Sequence, residues 1–248
     1  MGSFISLFMS KSMAKRGSGA RVIEAPSNGT EQWLLDTTRR HADAAGIDMP
    51  EVAIFPSPQP NAFATGWNRN AALVAVSEGL LRSMRKEEVE AVIGHEIGHV
   101  ANGDMISLAL VQGIMNTFVI FFARMVGQFV DNALSGGRSR GYGGGIGYFL
   151  SYYAAQLVFG IVASVVVAWF SRFREFRADI AGAQLAGRDN MIAALEALKV
   201  PSQEANDMPD TLVAFGITSG FSAGLQKLTA SHPPLDARIN ALRTADLS

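Results

Sequence analysis

The sequence predicts an α+β fold, mainly α, in which a small β-sheet and several amphipathic helices form one domain with a pair of membrane-length helices inserted into it. Three observations carry this reading. Short β-branched runs cluster between residues 52 and 76, a helical apolar period runs from Glu87 to Ala101, and two long apolar stretches occupy residues 105–170. Composition agrees with the insertion. Charged residues are 17% of the chain and mean hydropathy is positive at +0.18, whereas soluble domains carry about 25% charged residues. A net charge of -1 and a pI near 6.4 leave no basic footprint, so no nucleic-acid partner is expected. There is no cysteine, which excludes disulfide frameworks, thiolate metal sites and cysteine nucleophiles together. Any metal must be held by nitrogen and oxygen.

Residues 1–16 hold a short apolar run followed by Lys11, Lys15 and Arg16 without a small-residue cleavage site, and read as the end of a membrane-anchoring segment. A Gly, Ser, Pro and Asn-rich stretch covers residues 18–30. Glu31 to Ala45 then places Trp33, Leu34, Thr37 and His41 at helical spacing, a surface helix on which His41, with no motif around it, is a surface residue. Val52 to Phe55 is a short strand closed by Pro56, Pro58 and Pro60. Asn61 to Trp67 and Ala72 to Val76 resemble two more strands, joined by a turn at Asn68-Arg69-Asn70. In Glu87 to Ala101, Val89, Val92, Ile93, Ile97 and Val100 recur at three- and four-residue steps, with acidic residues at the N-terminal end and Asn102-Gly103 as the stop.

Met105 to Val130 is apolar but interrupted by Gln112, Asn116, Arg124 and Gln128, whereas Tyr148 to Phe170 has no charge. The second run has 23 residues, about 34 Å of helix against a hydrocarbon core of about 30 Å. The Gly-rich loop 135–147 joins the runs, so residues 105–170 read as a membrane helical hairpin and residues 17–104 and 171–248 as one domain around it. Arg172, Arg174 and Arg177 mark a cytoplasmic exit into a helix continuing through Ala186. Met191 to Leu198 and Leu235 to Leu242 are further helices, separated by a polar linker at Pro201 to Pro209.

The chemistry lies in Gly94-His95-Glu96-Ile97-Gly98-His99. His95 and His99, four apart on a helix, project from one face, roughly opposite Ile93 and Ile97, and can meet a single Zn²⁺. Glu96, beside the first ligand, is placed to take a proton from a water polarised by the metal. Catalytic zinc needs a third protein ligand and an open position. The best candidate is Glu175 in Phe173-Arg174-Glu175-Phe176-Arg177-Ala178-Asp179, with Asp179 one turn on to hydrogen-bond a ligand histidine. The alternative is a solvated face on which Glu175 and Asp179 pair with Arg172, Arg174 or Arg177.

Taken with Asn61-Ala62-Phe63-Ala64-Thr65-Gly66, Asn102-Gly103-Asp104, the segment Ser171 to Asp179 and Ser231-His232-Pro233-Pro234-Leu235-Asp236 with Arg238, the motif gives a chain that resembles the HtpX-type membrane zinc endopeptidases, relatives of the CAAX prenyl-protein proteases. The resemblance covers nearly the whole chain. It implies a zincin-like (gluzincin) protease domain holding one Zn²⁺ through His95, His99 and Glu175, with Glu96 as general base. It also implies that Asn61 and Ala62 lie on an edge strand that pairs with an extended substrate. His232 and Arg238 would lie near the metal and steady the developing oxyanion; the alternative for them is ordinary helix capping and surface charge.

The implied partners are misfolded or damaged membrane proteins and the lipid bilayer, and the implied setting is the cytoplasmic membrane, multi-pass, with the site facing the cytoplasm, in quality control and stress response. Two departures stand out. The family begins with two transmembrane segments, whereas this chain opens on what reads as the end of the second. Gly94 and Gly98 replace the alanine and serine frequent there, which would loosen the helix. Two other functions fit the residues alone: a non-catalytic metal-binding membrane scaffold, and a water-soluble zincin whose core is residues 105–170. The sequence does not specify an oligomeric state.

Overall fold

The structure is a computed structural model, and it describes residues 11–134, 145–199 and 232–247. The polar linker at Pro201 to Pro209 and most of the Gly-rich loop therefore lie outside the described residues.

The sheet forms where the β-branched runs predict it. Its strands are β1 (Arg21–Val22), β2 (Glu51–Phe55), β3 (Ala62–Thr65) and β4 (Leu73–Ser77), in the order β1-β2-β4-β3. β2 and β4 are parallel, and β1 and β3 pair antiparallel at the two edges. All five residues of β4 are buried, as expected of a strand covered on both faces. Val74 and Val76 join the main core, while Leu73 and Ala75 meet Ala53 and Phe55 on the other side. β1 falls inside the Gly, Ser, Pro and Asn-rich stretch, for which the sequence predicts no element; two residues are too few to give a period.

α1 (Gly29–Ala45) packs on the main-core face, its N-terminus capped by Asn28, whose side-chain oxygen accepts from Glu31 N at 2.9 Å. Gly46, at φ 66°, ends it in the left-handed conformation that glycine adopts without strain. His41 is not a surface residue. It is 3% exposed, because the helix face that carries it turns toward α3 and brings its Nε2 to 3.8 Å from Glu90.

Ser77 ends β4 and starts α2 (Glu78–Ser83), its hydroxyl oxygen accepting from Leu80 N. α3 (Lys86–Ala101) carries the histidine motif and opens with Glu88 accepting from the Arg85 amide at 2.8 Å. Gly103, at φ 67°, turns the chain into α4 (Asp104–Leu134). α4 and α5 (Ile146–Ala186) are the predicted hairpin, both long and apolar enough to cross a membrane. They pack closely where a Cβ on Gly127 would come within 2.9 Å of the Tyr148 ring. Their outer faces expose Phe121, Phe129, Leu150, Leu157 and Trp169. A water-soluble helical core would bury such residues, so this surface argues for lipid rather than a soluble core.

α5 runs unbroken for 41 residues, about 60 Å, so one rigid rod leaves the apolar hairpin and enters the domain beside α3. The two backbones meet at glycines. A Cβ on Gly98 would lie 2.7 Å from the Ala181 Cβ, and one on Gly94 would lie 3.3 Å from Gly182 Cα. These glycines allow the close approach of the two helices. α6 (Arg188–Ala197) and α7 (Leu235–Thr244) close the core with Met191, Leu195, Ile239 and Leu242.

Candidate metal centre

α3 places His95 and His99 one turn apart with ring centroids 4.7 Å apart and planes at 88°. Each ring has its Nδ1 occupied by a carboxylate. Asp179 Oδ1 lies 2.9 Å from His95 Nδ1, and Asp104 Oδ2 lies 2.7 Å from His99 Nδ1. With Nδ1–H donated to a carboxylate in each case, both Nε2 atoms carry lone pairs, a tautomer assignment that follows from the partners. Those two Nε2 atoms are 3.1 Å apart. Two lone pairs facing each other at that distance repel unless a proton or a cation sits between them.

Glu175 supplies the third corner. Its Oε1 is 3.4 Å from His99 Nε2 and its Oε2 is 3.7 Å from His95 Nε2. Metal–ligand bonds of about 2.0–2.1 Å in a tetrahedral site put ligand atoms about 3.3 Å apart. The three residues are thus spaced as a zinc-sized ion requires, and they are the metal-capable group found among the described residues. Glu175 is buried, and its Oε2 makes no hydrogen bond. His232 Nδ1 at 3.0 Å and an Arg238 nitrogen at 3.3 Å approach that oxygen and favour its charge. A buried carboxylate oxygen of this kind among converging imidazoles fits the ligand set of a cation. Burial opposes a charged His99 ring, yet hydrogen bonds to Asp104 and Glu175 outweigh it and raise its pKa to about 9. The same negative field that draws a proton there draws a metal.

Glu96 is left out of the ligand group. It lines a cavity of about 150 Å³ that also touches Asn61, Ala62, Val92, His95, Glu175 and His232. Arg238 is 7% exposed and grips Asp179 with two nitrogens, Nε to Oδ2 at 2.8 Å and Nη2 to Oδ1 at 2.5 Å. Burial disfavours its charge, but Asp179 more than compensates and its pKa is raised. Both Arg238 and His232 are engaged with carboxylates, but Arg238 is buried whereas His232, 3.0 Å from Glu175 Oε2, is 69% exposed.

The structure thus brings His95, Glu96, His99, Glu175, Asp179, His232 and Arg238 together, with Asn61 and Ala62 on the cavity wall. The main chain of Asn61 is already used: Ser77 Oγ accepts its amide at 2.9 Å, and its carbonyl accepts from Ser77 N at 2.8 Å. Main-chain groups alternate in direction along a strand, so the outward pair belongs to Ala62, on the sheet edge. Sequence reasoning assigned no role to Asp104. Its signal was a carboxylate placed one turn beyond His99, after a glycine that turns the chain back.

A helix whose His-Glu-x-x-His imidazoles converge with a glutamate from a later helix defines a metal-dependent peptidase of the zincin kind. Comparison with known proteins agrees. Residues 28–246 match the model of peptidase family M48. The protein named Protease HtpX from Chromohalobacter salexigens is 62% identical over 247 residues, covering 98% of this chain and 81% of that one. Protease HtpX from Hahella chejuensis is 59% identical over 241 residues, covering 97% of this chain and 81% of that one. The crystal structure of S. mikatae Ste24p matches 95% of this chain with a TM-score of 0.66 and 18% identity. This chain spans 54% of that protein, and the likeness concerns the fold alone. The chain belongs to peptidase family M48 and is a metalloprotease.

Proposed function

We propose that this metalloprotease is a zinc-dependent endopeptidase that cleaves peptide bonds of misfolded or damaged membrane proteins at the cytoplasmic face of the membrane, in quality control and stress response. One observation carries the reading: Glu175, which completes the ligand triangle, lies on the same unbroken helix that forms the exposed apolar hairpin. The active site is thereby fixed beside whatever lies in the bilayer.

His95, His99 and Glu175 hold one zinc ion per chain. When bound, the zinc supplies a Lewis acid that polarises the scissile carbonyl and acidifies the attacking water. Glu96, facing the cavity, takes the proton from that water and passes it to the leaving amine. Ala62, beside Asn61, offers an amide and a carbonyl to an extended substrate strand and sets it along the cavity. His232, at the exposed mouth and beside Glu175, lies close enough to the ligand group to steady the developing oxyanion. Arg238 keeps Asp179 and Glu175 charged and in place, and adds positive potential nearby. Residues 17–104 and 171–248 make the protease domain, residues 105–170 the hairpin, and residues 1–16 the end of a membrane-anchoring segment.

Glu96→Gln tests this. The variant should retain about one zinc per chain, since Glu96 is not a ligand, and lose about 100-fold or more in turnover of an unfolded membrane-protein substrate. Turnover equal to the parent would falsify the assignment.

A further inference from the structure

We propose that Asp104 is a positioning residue for His99, and that Arg174 holds Asp104 in place, so that the root of the membrane hairpin orients one of the metal ligands. The proposal rests on the metal-site reading above and extends it to residues outside the motif.

Asp104 is 2% exposed and its Oδ2 meets His99 Nδ1 at 2.7 Å. It is the first residue of α4, where the chain leaves the protease domain for the hairpin. Arg174 lies four residues past Phe170, where the chain returns, and is 8% exposed. Its Nη1 donates to the Asp104 carbonyl oxygen at 2.8 Å and its Nη2 to Ser171 Oγ at 3.2 Å. Its guanidinium also sits 5.7 Å from the Phe170 ring centroid. Next to it, Arg177 Nη2 donates to Asn102 Oδ1 at 3.0 Å.

Arg174 Nε is buried without a hydrogen-bond partner among the described residues. The Nη1 bond to the Asp104 carbonyl is thus one of two hydrogen bonds there that offset burial of this guanidinium, and it ties down the backbone from which the Asp104 side chain hangs. The carboxylate in turn fixes the His99 tautomer and ring plane and increases electron density at Nε2. His95 is served differently. Its carboxylate, Asp179, is gripped from α7 by Arg238. His95 is therefore oriented by a carboxylate on α5 that Arg238 of α7 holds, and His99 by a carboxylate at the start of α4 whose backbone Arg174 holds. Asp179 and Glu175 both lie on α5, so a shift of the hairpin against α3 reaches both histidines, and Asp104 adds the contact made from the α4 side of the hairpin root.

The test uses the full chain purified in detergent. Zinc affinity is read by chelator competition, and the visible bands of the cobalt-substituted protein report ligand geometry. Asp104→Ala should bind zinc about 10- to 100-fold more weakly and alter the cobalt bands. Asp104→Asn, nearly isosteric and still an acceptor for Nδ1–H, should fall between the two, and it carries the test alone if the alanine variant does not fold. Arg174→Gln should weaken zinc in the same direction. Because Arg174 acts through the Asp104 side chain, the double variant with Asp104→Ala should be no weaker than Asp104→Ala by itself. Affinities of both Asp104 variants within about twofold of the parent, with unchanged cobalt bands, overturn the proposal. Additive losses in the double variant overturn the part given to Arg174. A parent protein that binds no zinc overturns the metal-site reading as well, and is distinguishable because the failure precedes any substitution.

Discussion

Arg238 fills its place through geometry as much as charge. Two of its nitrogens reach the two oxygens of Asp179 while a third approaches Glu175. A lysine keeps the charge but offers one ammonium and no fork. Arg238→Lys should therefore reduce kcat/KM by about 10-fold or more, with zinc content measured alongside; a kcat/KM equal to the parent would show that charge alone suffices. His41 gives a second prediction at this scale. Its pKa is lowered, first by burial, so the folded state holds the neutral ring. The unfolded chain protonates it below about 6.5. Stability from this group is thus complete above that pH and is lost as pH falls toward the lower folded pKa. His41→Leu should flatten the acid-side fall in melting temperature relative to the parent between about pH 7 and 5. Parallel curves for the two proteins would refute the assignment. The metal ligands were legible in the sequence because coordination chemistry imposes spacing on them. The burial of His41 was not, since one residue of a helix faces core or solvent according to what packs on it.

The element that decides the site is the pair α3 and α5, and the two readings of its glycines predict opposite signs. On a free helix, replacing glycine by alanine gains about 1 kcal/mol. Here the new Cβ of Gly98→Ala would stand 2.7 Å from that of Ala181, and overpacking of this kind costs about 1–3 kcal/mol. Gly98→Ala should thus lower the melting temperature and weaken zinc, because it pushes His95 and His99 away from Glu175. A higher melting temperature with full zinc content would restore the propensity reading. The helices themselves were legible from apolar period and length. Their contact was not, because a small residue has the same letter whether it faces a neighbouring backbone or nothing. β1 was hidden for a related reason: two residues gain strand geometry only by pairing with β2.

On the scale of the whole molecule, the hairpin and the site form one mechanical unit, since α5 belongs to both. On the proposed reading the active site therefore depends on membrane residence, which would distinguish this protein from a soluble zincin with the same motif. Leu157 is 69% exposed on α5, in the middle of the charge-free run. In a bilayer an arginine at a central helix position costs about 2.5–3.5 kcal/mol on insertion. On a water-facing helix the same change would be nearly neutral and would improve solubility. Leu157→Arg should therefore shift protein from carbonate-washed membranes into the aggregated or degraded fraction, and lower the activity recovered per chain. Gln32→Arg, on the polar side of α1 away from the hairpin, is the control and should leave both unchanged. If the parent itself is recovered in the carbonate supernatant without detergent, or Leu157→Arg yields more soluble and equally active protein, the exposed apolar faces of α4 and α5 do not meet lipid. The coupling of Glu175 to the bilayer would then have to be abandoned, while the ligand triangle would stand.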